Sequence, residues 1–192
     1  MKIERIVCGA YAENAYVIDG KYIVDPGDGL TQLRAALPEP KALLLTHGHF
    51  DHMLAAEDIQ KASGAMVYIH PADADMLTDP ALSAYDPGVA QLRHPVEIAH
   101  TAYPEEIFGF RVLHTPGHTP GSVCLYNEAE KVLFAGDTLF RAGFGRYDLP
   151  GGNVHALLDS LRQLFCLPGD TRVYPGHGET TTIEDERRRY GR

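Results

Sequence analysis

The sequence predicts an α+β fold built as two similar halves, sheet packed to sheet with helices outside, and two observations carry that expectation. Short β-branched or aromatic runs open the chain and recur in its second half, and each set is followed by a helical pattern. Several of these runs also end abruptly in glycine turns that hold histidine or aspartate.

Ile3–Val7, Ala15–Ile18 and Tyr22–Val24 read as the first strands, with Asp19-Gly20 between the last two as a tight hairpin turn. After the turn Asp25-Pro-Gly-Asp-Gly29, Leu30–Leu37 reads as a short helix and Ala42–Leu45 as a buried strand stopping at Thr46. His52–Lys61 then reads as a helix, Ala65–Ile69 as a strand and Ala72–Leu77 as a short helix entered through Pro71, a βαβ rhythm. From Asp79 to Glu106 periodicity fails, and Pro80, Pro87, Pro95 and Pro104 punctuate a stretch read as irregular surface loops suited to walling a substrate cleft.

Strands resume at Phe110–His114, Ser122–Tyr126 and Lys131–Ala135. Asn153 caps an amphipathic helix reaching Phe165, with Val154, Leu157, Leu158, Leu161, Leu164 and Phe165 on one side. Arg172–Tyr174 is read as the last strand, and Arg187–Arg189 as a solvated helix end.

With 192 residues the chain is long enough for one core, so residues 1–192 are expected to form a single domain. A net charge of -9 argues against nucleic acid as a partner, because neutralising phosphates needs a basic surface. The opening MKIERIVCGA lacks the pattern of a signal peptide, and no apolar run approaches the ~18 residues of a membrane span. A cytoplasmic protein with a small-molecule substrate and no membrane partner is expected. Cys8, Cys124 and Cys166 are odd in number and widely spaced, which fits reduced thiols and no disulfide framework.

Ten histidines against three cysteines turn attention to imidazole ligands. In His47-Gly48-His49-Phe50-Asp51-His52, four groups able to bind a metal fall within six residues at a strand end, and burying them together without a cation would be costly. His118 in a Pro-Gly-His-Thr-Pro-Gly turn, Asp137 in Gly-Asp-Thr and His177 in Pro-Gly-His-Gly share the same setting after a strand. Five imidazoles and two carboxylates suit two ions, with Asp137 the natural bridge, and nitrogen-rich mixed ligation suits zinc and also iron or manganese. His70, His94, His100, His114 and His155 lack such a setting and are read as ordinary histidines.

Thr46-His-Gly-His-Phe-Asp-His52, Thr115-Pro-Gly-His-Thr-Pro-Gly-Ser122, Gly136-Asp-Thr138 and Pro175-Gly-His-Gly178, in this order, resemble the metallo-β-lactamase superfamily. The resemblance implies a four-layer αββα sandwich of two mixed β-sheets with helices outside. It implies that His47, His49 and His118 hold one ion, that Asp51, His52 and His177 hold the other, and that Asp137 bridges them. Within the superfamily, the second motif and Gly-Asp-Thr-Leu-Phe140 look most like compact glyoxalase II enzymes, the hydroxyacylglutathione hydrolases. Those enzymes usually add a helical C-terminal region with basic residues for glutathione, where this chain has only Gly178–Arg192 after its last ligand.

The expected function is therefore hydrolysis by a metal-bound hydroxide, on thioesters such as hydroxyacyl-glutathione-like substrates. Asp51 is expected to serve catalysis as well as its ion, and Arg146 and Tyr147, in the loop after the bridge, to bind substrate. The alternatives are a mononuclear-iron persulfide dioxygenase using His47, His118 and Asp137, a lactone, β-lactam or phosphodiester hydrolase of the same fold, or a module that keeps metal for structure or regulation.

Overall fold

The computed structural model describes residues 1–92 and 94–190, which fall into two compact units, one ending at Ala102 and the other beginning at Tyr103. The first holds one mixed six-stranded sheet, ordered β1 (Ile3–Cys8), β2 (Glu13–Ile18), β3 (Tyr22–Val24), β4 (Ala42–Leu44), β5 (Met66–Ile69), β6 (His100–Ala102). β1 to β3 form an antiparallel meander, and β3 to β6 run parallel. The Asp19-Gly20 turn is the expected one: both residues have positive φ (51° and 62°), which matches the twist of paired strands, and Lys21 N donates to Ile18 O at 2.9 Å.

Helices α1 (Leu30–Ala36) and α2 (Ala56–Ser63) connect the parallel strands and bury Leu33, Ala56 and Ile59 in the same core as Ala15, Val17, Ile23, Leu43, Leu45 and Val67. β2 is buried along its whole length, so Tyr16 and Ile18 on its other face are out of water as well. This explains why the inner strands read as continuous apolar runs rather than alternations.

The second unit holds β7 (Glu106–Ile107), β8 (Phe110–His114), β9 (Val123–Asn127), β10 (Val132–Gly136), β11 (Leu139–Phe140), β12 (Gly143–Phe144), α3 (Val154–Leu164), β13 (Arg172–Pro175), β14 (Thr181–Thr182) and α4 (Ile183–Tyr190). Its six-stranded sheet is ordered β14-β13-β10-β9-β8-β7, parallel only between β10 and β13, and β11 pairs with β12 in a separate small hairpin. Asn153 caps α3 as expected, its Oδ1 accepting from Ala156 N at 3.1 Å. The helix buries Leu157, Leu161 and Leu164 against Cys124, Leu133, Ala135 and Val173.

Three expectations need correction. His52–Lys61 is not one helix: Phe50–His52 forms a 3₁₀ turn and the α-helix starts only at Ala56, so the donor-rich segment stays outside regular α-helical geometry. The short helix entered through Pro71 is present as expected, as a 3₁₀ helix over Pro71–Leu77. The irregular region contains β6, and β7 begins at its end; β6 is fully exposed and exists through pairing with β5, a signal that side-chain periodicity does not carry. Finally, Arg172–Tyr174 is not the last strand, since β14 and α4 follow β13; Arg187–Arg189 are exposed at the end of α4 as expected, while Ile183 and Glu186 on the same helix are fully buried. No helix among the described residues is long and apolar enough to cross a membrane.

Candidate metal centre

In the first unit β3, β4 and β5 run parallel, so the segments leaving their C-terminal ends gather along one edge of the sheet. Asp25 follows β3, Thr46–His52 follows β4, and Asp73 lies in the 3₁₀ helix after β5. His47, His49 and His52 are buried, and the His47 ring centroid lies 4.8 Å from that of His49 and 4.2 Å from that of His52. Asp51 Oδ2 lies 3.7 Å from His52 Nε2. The structure thus brings His47, His49, Asp51 and His52 together.

Gly48 is needed here for closeness rather than for an unusual dihedral. A Cβ on it would come within 2.6 Å of Met76 Cβ and 3.0 Å of Asp73 O, and Gly48 N donates to the buried Asp73 Oδ2 at 3.1 Å. Asp73 therefore pins the loop between the first two histidines, a role that nothing in the spacing of the sequence announced.

Asp25, 1% exposed and held at φ 49°, organises the other side. Its Oδ1 accepts from Thr46 N at 2.7 Å, and its Oδ2 accepts from Thr46 Oγ1 at 2.6 Å and from His52 Nδ1 at 3.1 Å. Because the Thr46 hydroxyl gives its proton to Asp25, it can only accept from His47 Nδ1, 3.0 Å away. Both imidazoles then carry their proton on Nδ1, held by an oxygen acceptor, and their lone pair on Nε2, the tautomer and hydrogen bonding of metal-binding histidine. Glu13, also fully buried, brings Oε1 to 3.9 Å from His52 Nδ1.

In the second unit β8 and β10 run the same way, each antiparallel to β9, and β10 is parallel to β13. His118, Asp137 and His177, which follow β8, β10 and β13, therefore collect at one end of that sheet. A register shift between Phe134 and Gly136 interrupts the β10–β13 ladder before its last pair, Gly136 and Pro175, and Gly176 N then bonds Gly136 O at 2.8 Å. Gly117 has φ 132°, and a Cβ there would come within 2.2 Å of Leu157 N, so glycine lets the His118 turn sit directly on the start of α3.

His118 Nδ1 lies 2.7 Å from the Arg146 carbonyl, which can only accept, so this histidine also has its lone pair on Nε2. One oxygen, Asp137 Oδ2, lies 3.5 Å from His118 Nε2 and 3.6 Å from His177 Nε2. These gaps exceed the about 2.7–2.9 Å of a charge-assisted hydrogen bond. They approach the separation of roughly 3.3 Å between two ligands held about 2.0–2.1 Å from one tetrahedral ion. The donor set fits metal ions in both units.

Arg146 and Tyr147 lie in the loop after β12. The Arg146 guanidinium is exposed and paired with Asp148, Nε to Oδ1 at 2.8 Å and Nη2 to Oδ2 at 3.0 Å, and it holds the Asp148 carboxyl below its ordinary range. Tyr147 is 45% exposed. Among the other histidines, His70 Nδ1 accepts from Ala72 N, His94 Nε2 lies between Ser83 Oγ and Met76 O, and His114 Nε2 bonds Pro120 O.

The metallo-β-lactamase superfamily model matches residues 8–177. A hydroxyacylglutathione hydrolase, GloC, of Haemophilus influenzae is 35% identical over 98% of this chain and 96% of its own length. Two solved structures align over nearly all of both chains. TTHA1623 in a di-iron-bound form has TM-score 0.90 at 40% identity, covering 96% of this chain and 97% of that one. The B3 metallo-β-lactamase BLEG-1 has TM-score 0.89 at 38% identity, covering 97% of each. With its mixed sheets, flanking helices and histidine-aspartate clusters at the strand ends, the chain belongs to the metallo-β-lactamase superfamily and has that fold, an enzyme scaffold for metal-dependent hydrolysis.

Proposed function

We propose that residues 1–192 act as one domain in which the two sets of donors hold two divalent ions, and that the protein is a thioester hydrolase of the hydroxyacylglutathione hydrolase kind. His47, His49 and His118 would hold one ion, Asp51, His52 and His177 the other, and Asp137 would bridge. The observation that carries this reading is Asp137 Oδ2 standing nearly equidistant from His118 Nε2 and His177 Nε2, as a shared ligand atom must. The donor chemistry suits zinc, with iron or manganese as alternatives. The di-iron-bound relative supports the dinuclear form and makes iron a serious candidate.

When bound, such a pair acidifies a water and polarises a carbonyl oxygen. The protein's own task is to hold the donors as lone-pair nitrogens, which Asp25, Thr46 and the Arg146 carbonyl accomplish. Asp51 has one oxygen towards His52, and its second is assigned to accept a hydrogen bond from the attacking water and so orient it. Arg146 and Tyr147 are assigned to the substrate, the guanidinium exchanging Asp148 for a substrate carboxylate. No strong general acid is required, because a thiolate leaves with a pKa of about 8.5. The Haemophilus relative supports the thioester class, since nearly all of its length has a counterpart here. Small molecules are the proposed partners, with neither nucleic acid nor membrane.

Metal per chain should be measured together with thiol release from a panel of hydroxyacyl thioesters, oxygen uptake with glutathione persulfide, and β-lactam hydrolysis. Two ions with thioester turnover is the expected result. One iron with oxygen uptake, or lactam turnover alone, overturns the reading. Asp51→Ala should lower kcat by about a hundredfold or more while most of the metal stays bound.

A further inference from the structure

α4 is strongly charged, and its sequence, Ile183-Glu-Asp-Glu-Arg-Arg-Arg-Tyr190, reads as a surface helix, yet Glu186 on it is fully buried. Both of its carboxylate oxygens are in use. Oε2 accepts from Ala142 N at 3.0 Å and Oε1 accepts from Thr181 Oγ1 at 2.7 Å. Ala142 lies in the turn between β11 and β12 and has φ 61°. The helix makes a second contact with the same hairpin, where the Tyr190 ring meets that of Phe144 edge to face at 5.8 Å.

That hairpin touches the ligands from two directions. On its first strand Phe140 meets the His177 ring edge to face, with centroids 6.1 Å apart. Beyond its second strand the chain reaches Arg146, whose carbonyl accepts from His118 Nδ1 at 2.7 Å. A Cβ on the intervening Gly145 would come within 3.0 Å of His118 Nδ1 and 1.9 Å of Asp137 O, so this backbone lies against two ligands at once. The hairpin itself has only two residues per strand, too few to hold its shape unaided.

We propose that Glu186 is a positioning residue for His118, Asp137 and His177. By clamping the β11–β12 turn to α4 it fixes the hairpin that orients the His118 ring and packs the His177 ring, so the affinity for metal depends on the last helix. The inference rests on reading those three residues as metal ligands. It goes beyond that reading by giving the C-terminal helix a task in the site.

Zinc(II) binding to the full chain, measured by competition with a chelating dye, tests it alongside thermal melting. Loss of a partner that orients a ligand typically weakens metal binding by about 10–100-fold. Glu186→Ala should therefore bind zinc at least about tenfold more weakly, while Glu186→Gln stays within about threefold of the parent, since its amide oxygen can accept from Ala142 N and the Thr181 hydroxyl can turn to accept from its NH₂. Leu33→Ala, a core truncation in the other unit, should melt lower without changing zinc affinity. Unchanged affinity in Glu186→Ala, an equal loss in Leu33→Ala, or no recovery in Glu186→Gln overturns the proposal. If Glu186→Ala does not fold, Glu186→Asp, too short to reach both partners, takes its place, and parent-like affinity in that variant overturns the proposal. His118→Ala separates the two readings: if it binds zinc as the parent does, the ligand assignment fails and not the clamp.

Discussion

Asp25→Asn changes one atom and should reverse two imidazoles. Asp25 Oδ1 already accepts from Thr46 N, so the asparagine oxygen must stay there and its NH₂ takes the place of Oδ2. That NH₂ would then meet His52 Nδ1–H at 3.1 Å and the Thr46 hydroxyl proton at 2.6 Å, donor against donor at both. Relief comes if His52 moves its proton to Nε2 and the Thr46 hydroxyl turns to donate to His47 Nδ1, which sends the His47 proton to Nε2 as well. In each ring the nitrogen that carried the lone pair becomes an N–H.

Restoring the binding tautomer leaves a buried donor unsatisfied, at about 1–3 kcal/mol per imidazole. Since about 1.4 kcal/mol is tenfold, each of the two proposed ions should bind roughly ten- to a hundredfold more weakly. Zinc titration against a chelating dye measures the loss, and ¹⁵N chemical shifts of the imidazoles report the tautomers directly. The variant should still fold, because the shape of the site is unchanged. Parent-like metal affinity in Asp25→Asn would refute the hydrogen-bond chain from Asp25 through Thr46 to His47.

Three further outcomes are expected. Gly48→Ala, whose methyl would stand 2.6 Å from Met76 Cβ, should lose about 1–3 kcal/mol and melt several degrees lower by scanning calorimetry; an unchanged melting temperature contradicts the close approach. Asn153→Ala removes the α3 cap and should cost about 1 kcal/mol in urea unfolding, and a loss below about 0.3 kcal/mol would show that the Ala156 N bond contributes little. Burial pushes the Cys8 and Cys124 thiols up to about 11, so at pH 8 only about one in a thousand of either is thiolate. A disulfide reagent should therefore label one thiol quickly, the exposed Cys166, and the other two only after denaturation, whereas three fast thiols in the folded chain would contradict the burial.

Much of the fold was legible because it rests on local signals. Continuous apolar runs marked β4 and β10, an aromatic and β-branched run marked β8, Asp19-Gly20 marked its hairpin, and Asn153 with its leucine stripe marked α3 to within a residue. The elements that escaped have meaning only through a remote partner. β6 is exposed along its length, β7, β11, β12 and β14 are two residues long, and α4 has too few apolar residues to show a face. The helix read into His52–Lys61 failed for the opposite reason: its first residues are turned by the geometry of the donor loop before helical propensity can act.

The sequence by itself determined the donor inventory and its placement. Histidines and aspartates stand in glycine turns immediately after apolar runs, and a strand that ends abruptly puts the next residues at the edge of its sheet. What only the tertiary structure decided is how those donors are prepared. Asp25 reaches His52 across 27 positions, Asp73 reaches Gly48 across 25, and Glu186 reaches Ala142 across 44. A hydrogen bond has no periodicity along the chain, so the carboxylates that set tautomers and pin loops look in sequence like any other acidic residue, and only folding shows which of them are buried and what they hold.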